Sequence, residues 1–185
     1  MPAIICMLRG VNVGGHNKIK MDTLRALFVS LKLRDPQTYI QSGNVVFLSD
    51  KRGLALLSER IETAIEKKFG FRPGVVLRSS EDLRRVIAKK PFAKRHGLDP
   101  AKLLIVFLPA DPSKDDLQAI LAKNRGAEEV HLHGRELYIY FPDGIARSKL
   151  TPAVLDKALA TSGTGRNWNT VTKLLQMAEI LETAS

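Results

Sequence analysis

The chain has 185 residues, of which 44% are hydrophobic and 26% are charged. This composition excludes an intrinsically disordered chain and fits one domain or two small subdomains. The single cysteine, Cys6, lies in an apolar run and cannot build a disulfide framework, so we expect a buried thiol in a cytoplasmic protein. That first apolar run covers only about six residues before Arg9, which is too short for a signal peptide or a membrane-spanning helix.

The formal net charge is +10, from 29 lysine and arginine residues against 19 aspartate and glutamate residues. Such an excess favours phosphates, nucleic acid or other anions as partners, and we expect no membrane partner. Six of the basic residues fall within residues 84–96, where no acidic residue occurs. A solvated helix face followed by a loop would show the same pattern, so the run alone does not decide between the two interpretations.

Apolar periodicity in the first half of the chain predicts the order β-α-β-β-α-β. The predicted elements are a strand at residues 3–8, a helix with the stripe Leu24, Leu27, Phe28 and Leu31, a hairpin over residues 38–47 that turns at residues 41–44, a helix from an N-cap at Asp50 to a stop at Gly70, and a strand at residues 75–77. This order is the split βαβ pattern of ferredoxin-like sheets.

A boundary is predicted near residues 79 and 80, between a ferredoxin-like subdomain of residues 1–79 and a second α+β subdomain of residues 80–185, in which residues 80–101 form a joining helix and loop. The second subdomain is predicted to contain a strand at residues 103–108, a helix capped by Ser113, a hairpin at residues 130–141 that turns at Gly134, a helix opened by Thr151 and Pro152, and a last helix from about Asn167. Its order is β-α-β-β-α, with a helix where a fourth strand would stand. The predicted fold class is therefore α+β.

The strongest candidate site is the glycine-rich loop of residues 9–20, with the sequence RGVNVGGHNKIK. Its candidate ligand-binding residues are Arg9, Gly10, Asn12, Gly14, Gly15, Asn17 and Lys18. The spacing from Gly10 to Gly15 is that of a phosphate-binding P-loop, but the motif would need lysine and then serine or threonine at positions 16 and 17, and this excludes a standard nucleoside triphosphatase. Loop amides and the start of the following helix could still hold an anion. The alternative is a structural loop fixed by its asparagines.

The hairpin turn of residues 41–44 supplies three further candidate residues, Gln41, Ser42 and Asn44. In a split βαβ unit the third strand lies between the first and the second, because a right-handed crossover joins two parallel strands. The end of the first strand and the hairpin turn then lie at the same edge of the sheet. We therefore expect the glycine-rich loop and the hairpin turn to form one anion-binding cleft.

Two other polar clusters stand at predicted helix starts in the second half of the chain. Ser148 and Lys149 follow a Phe-Pro-Asp-Gly turn, and Arg166, Asn167 and Trp168 open the last helix. Arg166 beside the only tryptophan could stack on a base or hold a phosphate. The competing interpretation makes Trp168 a core anchor and its polar neighbours helix caps.

The histidines give little support for a metal or for catalysis. His131 and His133 share one face of a predicted strand, but no thiolate accompanies them, so no metal site is predicted. His16 is the one histidine of the glycine-rich loop and hence the one candidate general base there. We predict no cofactor.

Four motifs occur in order along the chain: LLRGxNVGGxNxIxMxxLR, YIQSGNVVF, YFPxGxxxSKL and TxRNWNTVxKL. They are carried here by residues 8–25, 39–47, 140–150 and 164–174. In these motifs the chain resembles the bacterial domain-of-unknown-function family numbered 1697. Met7 replaces the aliphatic residue usual at that opening, and the basic run around Pro91 is richer than is typical. The resemblance implies an α+β fold of two subdomains, the first ferredoxin-like, and it implies no established activity.

Three functions are compatible with these patterns. The leading hypothesis is a non-enzymatic cytoplasmic protein that binds a phosphate-bearing ligand, a nucleic acid or a nucleotide, in the cleft of loop and turn. The second is an enzyme acting on a small phosphorylated or carboxylated metabolite, with His16 or Ser148 within reach of the substrate. The third is an interaction module whose motifs are loop scaffolding. The aromatic signature of RNA-binding ferredoxin-like sheets is absent, which disfavours sequence-specific reading of RNA.

Overall fold

Strands and helices follow one another in two successive β-α-β-β-α-β series. In the computed structural model, which describes residues 1–50, 53–92, 94–124, 126–159 and 161–184, the first series is β1 (Ala3–Leu8), α1 (Met21–Ser30), β2 (Arg34–Tyr39), β3 (Asn44–Leu48), α2 (Leu54–Phe69) and β4 (Val75–Ser79), followed by α3 (Ser80–Lys89). The second series is β5 (Leu103–Phe107), α4 (Lys114–Lys123), β6 (Glu129–His133), β7 (Glu136–Tyr140), α5 (Pro152–Leu159) and β8 (Thr164–Asn167), followed by α6 (Trp168–Thr183). The described residues thus form an α+β fold with two four-stranded antiparallel sheets and six α-helices.

Contacts divide the chain into two units, Met1–Ile87 with Thr172–Ser185 and Ala88–Val171. The boundary predicted from the sequence, at residues 79 and 80, differs from this division and leaves the whole last helix in the second subdomain. The difference has a physical reason in Glu182 of α6. Its carboxylate accepts hydrogen bonds from the Ala3 N–H at 2.9 Å and from the Ser80 hydroxyl at 2.6 Å. These bonds attach the end of the chain to the first unit.

The sheet of the first unit has the order β2-β3-β1-β4, and each neighbouring pair is antiparallel. All six residues of β1 are buried, as expected for a continuous apolar run in a central strand. Its alternate residues Ile4, Cys6 and Leu8 share a core with Leu24 of α1 and Ile61 of α2. The thiol of Cys6 is buried, as predicted. Because β3 lies between β1 and β2, the end of β1 and the hairpin turn share one edge of this sheet.

The sheet of the second unit has the order β6-β7-β5-β8. The sequence predicted a helix in place of a fourth strand, and that prediction is wrong. β8 pairs antiparallel with β5, with Arg166 opposite Ile105 and Thr164 opposite Phe107. This strand has only four residues and includes Gly165, so no run of β-branched or aromatic residues marks it in the sequence. The helix predicted from Asn167 begins one residue later.

Some helix boundaries follow the predicted local signals, and one predicted N-cap does not. Gly70 ends α2 at φ +79°, in the left-handed region, as predicted. The Ser113 hydroxyl and the third residue of α4 form the predicted capping box. The predicted N-cap at Asp50 is wrong, because α2 begins at Leu54 and Gly53 holds the N-cap position. Glycine satisfies no helix N–H with a side chain, so the start of α2 depends on packing of its apolar stripe instead.

The longest helices of the described chain, α2 and α6, have 16 residues each. A helix that crosses a membrane needs about 20 consecutive, predominantly apolar residues. Among the described residues, no helix is both long enough and apolar enough for such a crossing.

Glu182 holds α6 by charge as well as by hydrogen bonds. Burial would raise the pKa of its carboxyl, but hydrogen bonds from the Ala3 N–H and the Ser80 hydroxyl, together with the guanidinium of Arg84, outweigh burial and lower the pKa. A carboxyl whose folded pKa lies below its unfolded value stabilises the fold above the unfolded pKa. That contribution is lost as the pH falls through the folded pKa.

We expect Glu182→Gln to lower the free energy of unfolding by about 1 kcal/mol at neutral pH, since the amide keeps an acceptor but loses the charge. The difference from the wild type should shrink as the pH falls below 4.5 and vanish once the folded carboxyl is protonated. Urea unfolding at several pH values measures it. Glu179→Gln, which removes a more exposed carboxylate partner of Arg84, is the matched control and should change stability less. If the difference in unfolding free energy between the wild type and Glu182→Gln persists unchanged into strong acid, the charge of Glu182 is not what stabilises the fold.

Candidate anion-binding site

The glycine-rich loop lies against the hairpin turn, and Asn12 joins them. Its Nδ2 donates hydrogen bonds to the backbone oxygens of Gln41 at 2.7 Å and of Ile19 at 3.0 Å. Its Oδ1 accepts a hydrogen bond from the Ile19 N–H at 2.8 Å. Both atoms of this amide are therefore used in holding the loop to the turn, so Asn12 positions the backbone around the site.

Asn17 has a similar role within the loop. Its Nδ2 donates to the backbone oxygen of Gly10 at 3.0 Å, and its own carbonyl accepts from the Asn12 N–H at 3.1 Å. The two asparagines have φ angles of +56° and +50°, in the left-handed region that asparagine tolerates better than most residues. Gly14 and Gly15 also adopt positive φ. The loop is thus fixed by its own residues, as the scaffold interpretation also expects.

The hairpin turn is fixed in the same way. The Leu8 N–H at the end of β1 donates to the backbone oxygen of Gly43 at 2.9 Å. The fully buried side chain of Asn44 donates through Nδ2 to the Tyr39 carbonyl at 3.1 Å and to the Ser42 hydroxyl oxygen at 2.9 Å. Ser42 and Asn44 therefore shape the turn from within.

An open cavity of about 810 Å³ lies where the loop, the turn and the start of α1 meet. Its lining residues are Asn12, Gly15, Lys18, Ile19, Lys20, Met21, Asp22 and Gln41. Lys18 and Lys20 are exposed, and neither ammonium group has an ion pair within the described residues. The carboxylate of Asp22 is paired with Arg25. The cavity therefore carries net positive charge.

The first turn of α1 contributes to this cavity. Lys20 holds the N-cap position, and its side chain makes no capping hydrogen bond. The next two residues, Met21 and Asp22, line the cavity. The first N–H groups of a helix have no partner within the helix and favour negative charge. Of the predicted site residues, the cavity brings together Asn12, Gly15, Lys18 and Gln41, and the start of α1 adds Lys20.

Other predicted residues of the loop lie away from the cavity lining in the described chain. Arg9 is half-buried, and its N–H donates to the backbone oxygen of Gly74 at 2.9 Å. Gly10 and Gly14 are exposed at other points of the loop. His16, the candidate general base, is exposed and is also outside the lining. The basic residues of the loop that line the cavity are therefore Lys18 and Lys20 at its C-terminal end, and Arg9 at its N-terminal end is outside the lining.

Ser148 and Lys149 belong to the second unit, where they line a cavity of about 300 Å³ together with Glu128 and Arg147. The Ser148 hydroxyl donates to the Glu128 carboxylate and accepts from the Leu150 N–H at 2.9 Å. These two bonds fix the turn that precedes α5. Ser148 and the glycine-rich loop are thus parts of different units.

The cluster at the start of α6 also belongs to the second unit. Arg166 lies on β8 with only 9% of its surface exposed, and its Nη1 donates to the Gly165 carbonyl at 2.8 Å. The Oδ1 of Asn167 accepts from the Thr170 N–H at 2.8 Å, which is the geometry of a helix N-cap. Trp168 is half-buried and lines a cavity of about 250 Å³. Asn167 therefore caps α6, and burial keeps Arg166 from most of the solvent.

Arg78 is a buried arginine that sequence reasoning did not single out. It lies on β4 opposite Ile5, is 2% exposed, and donates through Nη1 to the Leu77 carbonyl at 3.0 Å. Arg166 holds the equivalent place on β8, opposite Ile105. Each sheet thus carries a buried guanidinium on its last strand. For Arg78 the signal in the sequence is its position directly after three apolar strand residues, whereas Arg166 follows Thr164 and Gly165 and has no such signal.

The basic run of residues 84–96 is partly neutralised by ion pairs. Arg84 pairs with Glu179 and Glu182, Arg85 with Glu81 and Asp82, and Arg95 with Glu129. The lysines of the run, Lys89, Lys90 and Lys94, are exposed and have no ion pair within the described residues. The three arginines are therefore engaged in ion pairs within the protein, and the three lysines are the cations that an external anion can reach.

The two strand histidines pack against aromatic rings. The ring of His131 lies edge-on to Phe92 with centroids 4.9 Å apart, and that of His133 lies edge-on to Tyr138 at 5.8 Å. Burial lowers the pKa of His133, which favours its neutral form. Among the described residues, no three side chains of the metal-binding types come together.

The fold and the site define a class of α+β protein in which a hydrogen-bonded glycine-rich loop and a hairpin turn frame a cationic cavity. The chain belongs to the family described as "Protein of unknown function (DUF1697)", which it matches over residues 1–138. This confirms the family predicted from the motifs, although the two C-terminal motifs lie outside the matched residues. Among curated proteins, none matches the chain.

A solved structure shows the same fold. The structure of conserved bacterial protein SP0830 from Streptococcus pneumoniae has a TM-score of 0.77 and 24% sequence identity to this chain, and the match covers 96% of this chain and 98% of that one. At this identity the likeness concerns the fold alone. The covered share of this chain is larger than the part that the family match covers, so the likeness extends beyond residue 138.

Proposed function

We propose that the first unit is a ferredoxin-like platform that binds a phosphate-bearing ligand, a nucleic acid or a nucleotide, in the cleft of the glycine-rich loop, the hairpin turn and the start of α1. The observation that carries this proposal is the placement of Lys18 and Lys20 on one cavity with the first turn of α1. Ammonium groups and helix N–H groups together supply the donors and the positive potential that phosphate oxygens prefer.

The rigidity of the loop supports a binding role. Asn12 and Asn17 hold the loop in one conformation through four side-chain hydrogen bonds. A preformed site loses little conformational entropy when its ligand binds. Gly15 lines the cavity with open space around its α-carbon, so a ligand can approach the backbone closely there.

Binding is better supported than catalysis. Among the described residues of the lining, Asp22 alone has a side chain able to act as a general base at neutral pH, and it is paired with Arg25. A binding protein needs no such group, whereas an enzyme acting on a metabolite does.

Loss of the two cavity lysines should weaken binding and its dependence on salt. We expect the double substitution Lys18→Gln and Lys20→Gln to reduce the slope of log K against log [salt] by roughly 1.4 for a single-stranded oligonucleotide, because each phosphate contact contributes about 0.7. Fluorescence anisotropy of a labelled single-stranded oligonucleotide, titrated at several salt concentrations, measures the slope.

The matched control is the double substitution Lys67→Gln and Lys68→Gln, which removes the same charge from the exposed end of α2. It should leave the slope and the affinity nearly unchanged. If both double variants weaken binding equally, the protein attracts nucleic acid by net charge alone and the site is wrong. An affinity of the wild type that is indifferent to salt would exclude a phosphate-bearing ligand altogether.

A further inference from the structure

The cavity of about 250 Å³ that Trp168 lines lies wholly within the second unit. Phe92, Leu98, Leu103 and Trp168 supply apolar walls, and two cations, Lys90 and Arg95, belong to the same lining. Phe92 and Leu103 are buried, whereas Lys90 is exposed. The cavity therefore combines an apolar interior with a cationic opening.

The aromatic wall and one of the cations are held in place. The ring of Phe92 packs against Tyr140 with centroids 5.9 Å apart. The guanidinium carbon of Arg95 lies 4.4 Å from the centroid of the Tyr140 ring, and Arg95 also pairs with Glu129. These contacts position the Phe92 ring and the Arg95 guanidinium in the absence of a ligand.

Lys90 adds a cation of a different kind. Its ammonium group has no ion pair within the described residues, and the nearby chain from Lys89 to His96 contains no acidic residue. Because Glu129 offsets the charge of Arg95, Lys90 sets the net positive charge of the opening. An anionic group there would meet one positioned guanidinium and one exposed ammonium group.

We propose that this cavity binds a small molecule that has one planar aromatic ring system and one carboxylate or phosphate group. The apolar walls and the Trp168 indole suit a flat ring, and the two cations suit its anionic substituent. The volume is below the range of about 300 to 1,000 Å³ that is usual for drug-sized ligands, so the cavity takes a single ring system. The site does not depend on the proposed function of the first unit.

Trp168 provides a direct readout, because it is the only tryptophan of the chain. Its fluorescence, excited at a wavelength that nucleotides do not absorb, is followed while the full-length protein is titrated with adenosine monophosphate and with nicotinate. Adenosine and nicotinamide are the matched neutral probes, and inorganic phosphate is the matched anion without a ring. Calorimetry with the same probes gives an independent dissociation constant.

At least one of the two aromatic anions should change the fluorescence saturably and bind roughly tenfold or more tightly than its neutral match, since a charge-assisted contact is lost in the latter. Tighter binding of adenosine monophosphate than of adenosine shows that the site uses a phosphate, and tighter binding of nicotinate than of nicotinamide shows that it uses a carboxylate. We expect Lys90→Gln to abolish most of this preference. Lys94→Gln, an exposed neighbour outside the cavity lining, should leave it unchanged.

Three results would overturn the proposal. Equal binding of an anion and its neutral match would show that the cations are not used. Saturation by inorganic phosphate as tight as that by adenosine monophosphate would show that the apolar walls are not used. The absence of any saturable signal, by fluorescence and by calorimetry, would show that the cavity takes no ligand of this class.

Discussion

Gly43→Ala is expected to lower the free energy of unfolding by about 2 to 5 kcal/mol, from the combined cost of a left-handed backbone and an overpacked contact. Gly43 has a φ of +76°, and a Cβ added there would lie 2.9 Å from the Cβ of Leu8. Leu8 is fully buried at the end of β1 and cannot move aside without disturbing the core. Urea denaturation followed by circular dichroism measures the change.

Gly10→Ala is the matched control for this substitution. Gly10 has a φ of +66°, but a Cβ there would meet nothing within 4 Å. It should therefore cost only the backbone strain, about 1 to 2 kcal/mol. If the two alanine variants are equally stable, the contact with Leu8 is relieved at little cost and the turn is less tightly packed against β1 than the structure indicates.

Asn12→Ala is expected to destabilise the protein by about 2 to 4 kcal/mol, because it removes three hydrogen bonds and leaves the Ile19 N–H without its partner. The alanine must also adopt the φ of +56° that asparagine tolerates. Ile19 is buried, so water does not readily replace the lost bonds. The same substitution should weaken binding at the adjoining cavity, since the loop is no longer tied to Gln41.

Asn17→Ala separates the cost of the positive φ from the cost of the hydrogen bonds that join the loop to the hairpin turn. Asn17 has a similar φ of +50°, but its side chain is exposed and, within the described residues, its amide makes one hydrogen bond, to the Gly10 carbonyl. We expect about 1 to 2 kcal/mol of destabilisation, roughly half the effect at Asn12. Equal losses of stability at the two positions, measured by thermal and urea unfolding, would show that the bridge from Asn12 to the hairpin turn contributes little.

Most helices and strands were predictable because their signals are local. The stripe of α1, the left-handed stop of α2 at Gly70 and the capping box at Ser113 each depend on residues within one or two turns of helix. β8 was not predictable in this way. Its short segment around Gly165 becomes a strand because β5 offers an open edge for pairing, and that edge exists only once the sheet has formed.

In the basic run of residues 84–96, ion pairs formed in the folded protein neutralise part of the positive charge. Arg85 pairs with acidic residues three and four positions earlier, which the sequence alone could have indicated. Arg84 pairs with Glu179 and Glu182 from the far end of the chain. No sequence pattern near Arg84 predicts these two partners. Whether the guanidinium of Arg84 is available to a phosphate could therefore not be judged from the sequence.

For the glycine-rich loop, the sequence by itself determined the turn chemistry, the family, and the place of the loop beside the hairpin turn, because glycine, asparagine and strand order act through local conformation and sheet topology. Only the tertiary structure decided which side chains remain available to a ligand. The side-chain amides of Asn12 and Asn44 donate hydrogen bonds to backbone oxygens and a neighbouring hydroxyl, whereas Lys18 and Lys20 are exposed residues that line an open cavity. The physical reason is that a hydrogen bond between residues 29 positions apart, such as that from Asn12 to Gln41, forms only when the sheet brings them together.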